Sequence, residues 1–143
     1  MTGPPLHGSC LCDGVRFEVE PPVRDVFACH CHRCQKTSGN FVAATAAPAS
    51  AISFEADSTL RWYQPDDDPN VAYGFCERCG SSLFFRVLDD PGESISIMAG
   101  SLDGTTGLRT TEVWFTANAA DHATLDPDVV HHPGQPAPRP GPA

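Results

Sequence analysis

The chain has 143 residues, 41% apolar and 19% charged. That is one domain's worth of sequence, able to bury about 68–70% of its unfolded surface. The net charge is −9, and the basic set is one Lys and eight scattered Arg, so neither nucleic acid nor an anionic membrane suits it as a partner. There is no run of 18 apolar residues, and residues 1–7 lack a basic n-region and an apolar h-region, so a reducing cytoplasm is the expected compartment.

Residues 1–9 read as an irregular lead-in. Val15, Phe17 and Val19 alternate with Arg16, Glu18 and Glu20, which predicts a half-buried strand ended by Pro21-Pro22. Arg33–Ser38 invites a helical turn, closed by Gly39. Strands are predicted over Phe41–Ala47, Ile52–Phe54 and Leu60–Tyr63, with a turn at Asp66–Asn70. Val71–Phe75 leads into a cysteine pair. Leu83–Leu88, Ile95–Met98 and Glu112–Ala117 complete the strand set, and Ala119–Leu125 invites a second helical turn. Strands recurring about every 8–12 residues between Gly, Pro and Asp argue a single antiparallel all-β domain. Residues 133–143 hold five prolines, and the segment 127–143 reads as a disordered, Pro-rich tail.

Seven cysteines form three clusters: Cys10-x-Cys12, Cys29-x-Cys31-x-x-Cys34 and Cys76-x-x-Cys79-Gly80. An odd number excludes a fully paired disulfide set, and short fixed spacings in a reducing compartment read as metal ligands. Residues i and i+2 of an extended segment share a face, so Cys10 and Cys12 can aim at one ion. A C-x-x-C turn closed by glycine brings two more sulfurs together. Pairing Cys10, Cys12, Cys76 and Cys79 makes a closed, structural four-thiolate zinc site. Cys29, Cys31 and Cys34 then hold a second zinc with one position open, the arrangement of catalytic zinc. Other groupings remain formally open, but they strand Cys34. A thioredoxin-type pair lacks a surrounding βαβ pattern, and a nucleic-acid zinc ribbon conflicts with the acidity.

Three strings carry a resemblance: Gly8–Phe17 (GSCLCDGVRF), Cys29–Gly39 (CHCHRCQKTSG) and Phe75–Phe84 (FCERCGSSLF), with Gly100–Asp103 as a weaker fourth. Together they resemble the glutathione-dependent formaldehyde-activating enzyme family, whose domain is shared with centromere protein V. The resemblance covers residues 6–126. It implies an antiparallel β-tent around two zinc ions, grouped as above. It also implies a carbon–sulfur lyase that condenses glutathione with formaldehyde to S-(hydroxymethyl)glutathione. Two departures stand out: Asp13 separates Cys12 from Gly14, and Glu112 stands where the family often has His before the aromatic strand.

On this reading Cys29, Cys31 and Cys34 form the catalytic centre, and a small thiol and an aldehyde are its partners. Arg33 and Lys36 are the candidate contacts for an anionic thiol. His30 points away from the metal and packs, while His32 is a lesser candidate for a proton shuttle or fourth ligand. His131 and His132 border the tail and carry no role, and Trp62 and Trp114 belong to the core. The competing reading is a non-catalytic, zinc-stabilised binding module or thiol sensor.

Overall fold

The computed structural model describes residues 3–137. Among them the chain runs β1 (Leu6–Ser9), β2 (Arg16–Val19), β3 (Val26–Cys29), α1 (His32–Ser38), β4 (Val42–Pro48), β5 (Ile52–Ala56), β6 (Leu60–Tyr63), β7 (Val71–Cys76), β8 (Ser82–Val87), β9 (Ser94–Met98), β10 (Thr110–Trp114) and β11 (Val130–His131). β1, β2 and β5 form a small sheet, and the remaining strands form a large one in the order β11-β10-β3-β4-β9-β8-β7-β6.

The pleat of β9 shows how the sequence sets two faces. Ile95 and Ile97 enter the main core, while Ser96 and Met98 line an open cleft. β4 alternates with it: Ala47 joins the main core, and Ala44 a smaller one with Phe27, Cys29 and Val42. The main core is shared by the two sheets, with Val15, Phe17 and Val19 from the β2 region meeting Phe84, Ile95 and Ile97. The Phe17 and Phe84 rings meet edge-on at 5.0 Å. β1 can approach because Gly8 has no side chain; a Cβ there would lie 2.1 Å from Phe17 Cζ.

Several expectations need correction. The large sheet is mixed, because β10 runs parallel to β3 and β11 parallel to β10. A long connection after β9 brings β10 in from the same end as β3, which a hairpin could not do. The lead-in contains β1, whose Leu6–Ser9 pair with Val19–Arg16. Ala119–Leu125 forms no helix; a 3-10 turn at Thr116–Asn118 precedes it instead. The expected disordered tail also starts too early at residue 127. The His132 N–H donates to Val113 O at 2.9 Å and the Thr116 N–H to His132 O at 3.1 Å, fastening this strand to the sheet edge. Residues 138–143 lie outside the described residues.

Candidate functional site

Cys10, Cys12, Cys76 and Cys79 meet between the β1–β2 turn and the end of β7, with one sulfur from each within 4.8 Å of the others. Cys10 and Cys12 Sγ are 3.7 Å apart, and Cys12 and Cys76 Sγ 3.6 Å. A disulfide needs about 2.05 Å. A tetrahedron of thiolates at about 2.3 Å from one ion has edges of about 3.8 Å, so the donor set fits a closed four-thiolate metal site. The turn that presents Cys76 and Cys79 is fixed by Gly80 N–H donating to Cys76 O at 2.8 Å. Ser81 serves both halves, accepting from the Leu11 N–H at 3.0 Å and lying 3.1 Å from Cys79 Sγ. Hydrogen bonding from Ser81 holds the Cys79 thiol down at about 5. Asp13, the inserted residue after Cys-x-Cys, has φ 63°. A glycine would normally take that left-handed conformation, and Asp is among the side chains that tolerate it.

Cys29, Cys31 and Cys34 form a second cluster, again with sulfurs within 4.8 Å of one another. Cys29 ends β3, held between β4 and β10. Cys31 caps α1, its sulfur accepting from the Cys34 N–H at 3.3 Å. Cys34 follows one helical turn later on the same side. Gln35 locks this geometry by donating from Nε2 to His30 O at 2.8 Å and to Asn118 O at 2.7 Å. Gly39, with φ 93°, ends the helix. Hydrogen bonds from Cys29 and Cys34 hold the Cys31 thiol down at about 2. Donating to Cys31 pushes Cys29 up to about 11, and bonding to Cys29 and Cys31 pushes Cys34 higher still. A cation at this cluster would favour the thiolate form of all three sulfurs.

The first cluster sits at the edge of the main core, with Cys10 and Cys76 buried in it and Cys12 and Cys79 half-buried against it. The second opens onto a cleft of about 740 Å³ on the other face of the large sheet. Register brings Tyr63, Tyr73 and Phe85 into one row along that face, from β6, β7 and β8. Trp114 stacks on Phe27 at 3.9 Å and packs against the smaller core as expected, while also lining the cleft with Phe115 and Met98. Desolvation, then the charge on Cys34, pushes the Tyr73 phenol up to about 12. Buried Glu112 lies 3.0 Å from Arg24 and 2.7 Å from His132, so His132 is structurally engaged and not idle.

The residues expected to meet substrate fare differently. Arg33 lines the cleft, but its guanidinium forks to Asp68 at 2.9 Å and Asp67 at 3.1 Å. Lys36 is exposed on α1 and does not line the cleft. His32 is also exposed and stands outside the cysteine cluster. His30 is buried and stacked on Phe41 at 4.9 Å, a packing residue as expected. Burial holds its imidazole below the ordinary value. Trp62 is 37% exposed and stacks on Phe84, on the face away from the Tyr73 row. A further group, His7, Glu18 and Glu55, shares the small sheet without lining the cleft. Tyr73, Asp67, Asp68 and Glu112 have no motif in the sequence; only register and loop closure bring them to the site.

Comparison with known proteins agrees with this geometry. Residues 5–118 match the family model described as glutathione-dependent formaldehyde-activating enzyme. A Halomonas elongata protein, named provisionally as a glutathione-dependent formaldehyde-activating enzyme, is 33% identical over 85 residues. The match covers 55% of this chain and 54% of that protein, about half the length of each. A crystal structure of a Rhodobacter sphaeroides protein shares the fold with a TM-score of 0.59, at 24% identity, over 70% of this chain and 90% of that one. The chain belongs to the glutathione-dependent formaldehyde-activating enzyme family.

Proposed function

We propose that this protein is a zinc-dependent carbon–sulfur lyase of the S-(hydroxymethyl)glutathione synthase type, joining or cleaving a small thiol and formaldehyde or a related aldehyde. The observation that supports it is the contrast between the two clusters. Four sulfurs close around one point at the margin of the core and line no part of the cleft, whereas three sulfurs meet at the edge of that open cleft. Cys10, Cys12, Cys76 and Cys79 would hold a structural zinc, and Cys29, Cys31 and Cys34 a second. An all-thiolate donor set of this kind suits zinc. We place the reaction in a reducing cytoplasm, which suits seven free cysteines, and assign it to a domain spanning residues 6–126.

When bound at the open cluster, zinc supplies a Lewis-acid position that keeps a thiol deprotonated near neutral pH. A free thiol with pKa about 8.5 is only a few per cent thiolate at pH 7. Full deprotonation is therefore worth about 30-fold in nucleophile, or about 2 kcal/mol. The sulfur–carbon bond forms as the carbonyl π bond opens onto oxygen, and that oxygen takes a proton from solvent, balancing the one the thiol released on deprotonation. Tyr73 keeps its proton at Oη throughout the neutral range and can donate a hydrogen bond to the oxygen as charge develops. The aromatic wall gives thiol and aldehyde a shared apolar surface that holds them together, a proximity gain for an addition that is already easy.

Exchange NMR on a thiol and formaldehyde, with zinc-loaded protein and with the Cys31→Ser variant, tests the reading. Exchange faster than the uncatalysed rate with wild type alone supports it. Wild-type protein with two zincs bound and no acceleration for any thiol overturns it and leaves the binding-module reading.

A further inference from the structure

A peptide thiol of the glutathione kind brings two carboxylates against one ammonium, a net negative charge at neutral pH. A cleft that selects it needs a cation turned into it with no carboxylate already beside it, and among the described lining residues none stands so. Arg24, Arg33 and Arg86 are the basic residues that line it. Arg24 is held 3.0 Å from the buried Glu112 carboxylate, and it lies over the Phe27 and Trp114 rings at 5.0 and 5.2 Å. Arg33 is bracketed by Asp67 and Asp68, so that trio carries one net negative charge. Arg86 follows Phe84 by two residues and shares its face, its guanidinium resting 5.7 Å over Trp62, which does not line the cleft. The acidic lining residues are Asp68 and Asp90.

What the wall offers instead is neutral. Tyr63, Tyr73, Ser96 and Gln135 supply hydroxyl and amide groups, beside apolar Phe85 and Met98. Bringing a carboxylate here strips its water without supplying a cation and places it beside carboxylates that Arg33 only partly offsets. The net charge of −9 opposes its approach as well.

We propose that the thiol this cleft selects is uncharged. Its body bears hydroxyl or amide groups and an apolar face that lies on the Tyr63–Tyr73–Phe85 row, and it takes the place of a dicarboxylate peptide. The proposal rests on the thiol–aldehyde reading above, and Asp67 and Asp68 set the selectivity by committing Arg33.

The test compares matched thiols with formaldehyde: N-acetylcysteine against its neutral amide, and N-acetylglutathione against its neutral diethyl ester. Each rate is divided by its own uncatalysed rate at the same pH. Titration calorimetry of the same thiols into the zinc-loaded protein gives a second readout, independent of turnover. The expected result is a preference for the uncharged member of at least about tenfold in kcat/KM and in Kd, equivalent to about 1.4 kcal/mol. In the D67N/D68N double variant, which leaves Arg33 uncommitted, that preference should shrink to within about threefold. Equal or better use of the charged member by wild type overturns the proposal while leaving the lyase reading intact. No adduct acceleration with any thiol overturns both. If the double variant does not fold, the wild-type pairs still decide.

Discussion

Serine replacement of one ligand in each cluster should separate stability from chemistry. Cys76 is fully buried in the main core, its sulfur 3.6 Å from Cys12 and 3.2 Å from Thr59 Oγ1. The cluster it completes ties the β1–β2 turn to the end of β7, two segments more than 60 residues apart. A structural zinc contributes about 10–16 kcal/mol apparent, against about 5–15 kcal/mol for the stability of a whole domain. Cys76→Ser should therefore leave no cooperative melting transition at 25 °C or above. Cys31 is only half-buried and caps α1, a position where serine is itself a preferred cap. Cys31→Ser should retain the bond to the Cys34 N–H and cost about 1 kcal/mol, lowering Tm by about 3–5 °C while abolishing turnover. Circular dichroism melts, metal analysis and the exchange assay, run on both variants, provide the check. Equal losses of Tm in the two variants, or turnover retained by Cys31→Ser, would refute the division of labour.

Three further outcomes are expected. Glu112→Ala takes the carboxylate from between Arg24 and His132 in a buried position, and should cost about 3–5 kcal/mol by urea unfolding. A loss under about 1 kcal/mol would show that this ion pair does not support the β10 edge. Tyr73→Phe should lower kcat about tenfold with KM and Tm unchanged, if the phenol stabilises the developing oxygen charge; an unchanged kcat removes Tyr73 from the reaction. Buried His30 has its pKa below the ordinary 6.5, so the unfolded chain binds the proton that the folded chain refuses. Its contribution to stability is therefore complete above about pH 6.5 and declines as pH falls below that value. Urea midpoints between about pH 5 and 7.5 should slope more steeply for wild type than for His30→Phe, and identical slopes would contradict this.

Most of the strand set is legible because one face is buried and the other is not. Val15, Phe17 and Val19, and likewise Ile95 and Ile97, keep the period of two that a half-buried sheet imposes. β3 escapes this reading because Val26–Cys29 is buried on both faces and shows no alternation. β1 escapes it because Gly8 makes room for Phe17, a contact that no local pattern encodes. β11 has two residues and exists only through its bonds to β10. The cysteine groups are legible because ligand spacing is local chemistry: i and i+2 in a turn, i and i+3 across one helical turn. The cleft wall is not, since Tyr63, Tyr73 and Phe85 align only through the β6–β7–β8 register. Arg33 likewise meets its carboxylates across 34 and 35 residues of sequence.

That register also explains how a small domain keeps two thiolate clusters apart. Tyr73 and Cys76 stand on the same strand, three residues from one another. An odd separation in a pleated strand sends the two side chains to opposite faces, so Tyr73 lines the cleft and Cys76 enters the core. The bulge that accompanies this stretch falls on β8, where Ser82 pairs with Phe75 and Phe84 with Gly74, so the alternation of β7 survives it. A one-residue slip of β7 would bring the phenol into the core and withdraw a sulfur from the closed cluster at once. A metal bound at the closed cluster would therefore hold β7 in the register that faces Tyr73 toward the open one. Removal of zinc from the closed cluster should then cost turnover and fold together, so that residual activity and the circular dichroism signal fall in step as a chelator is titrated.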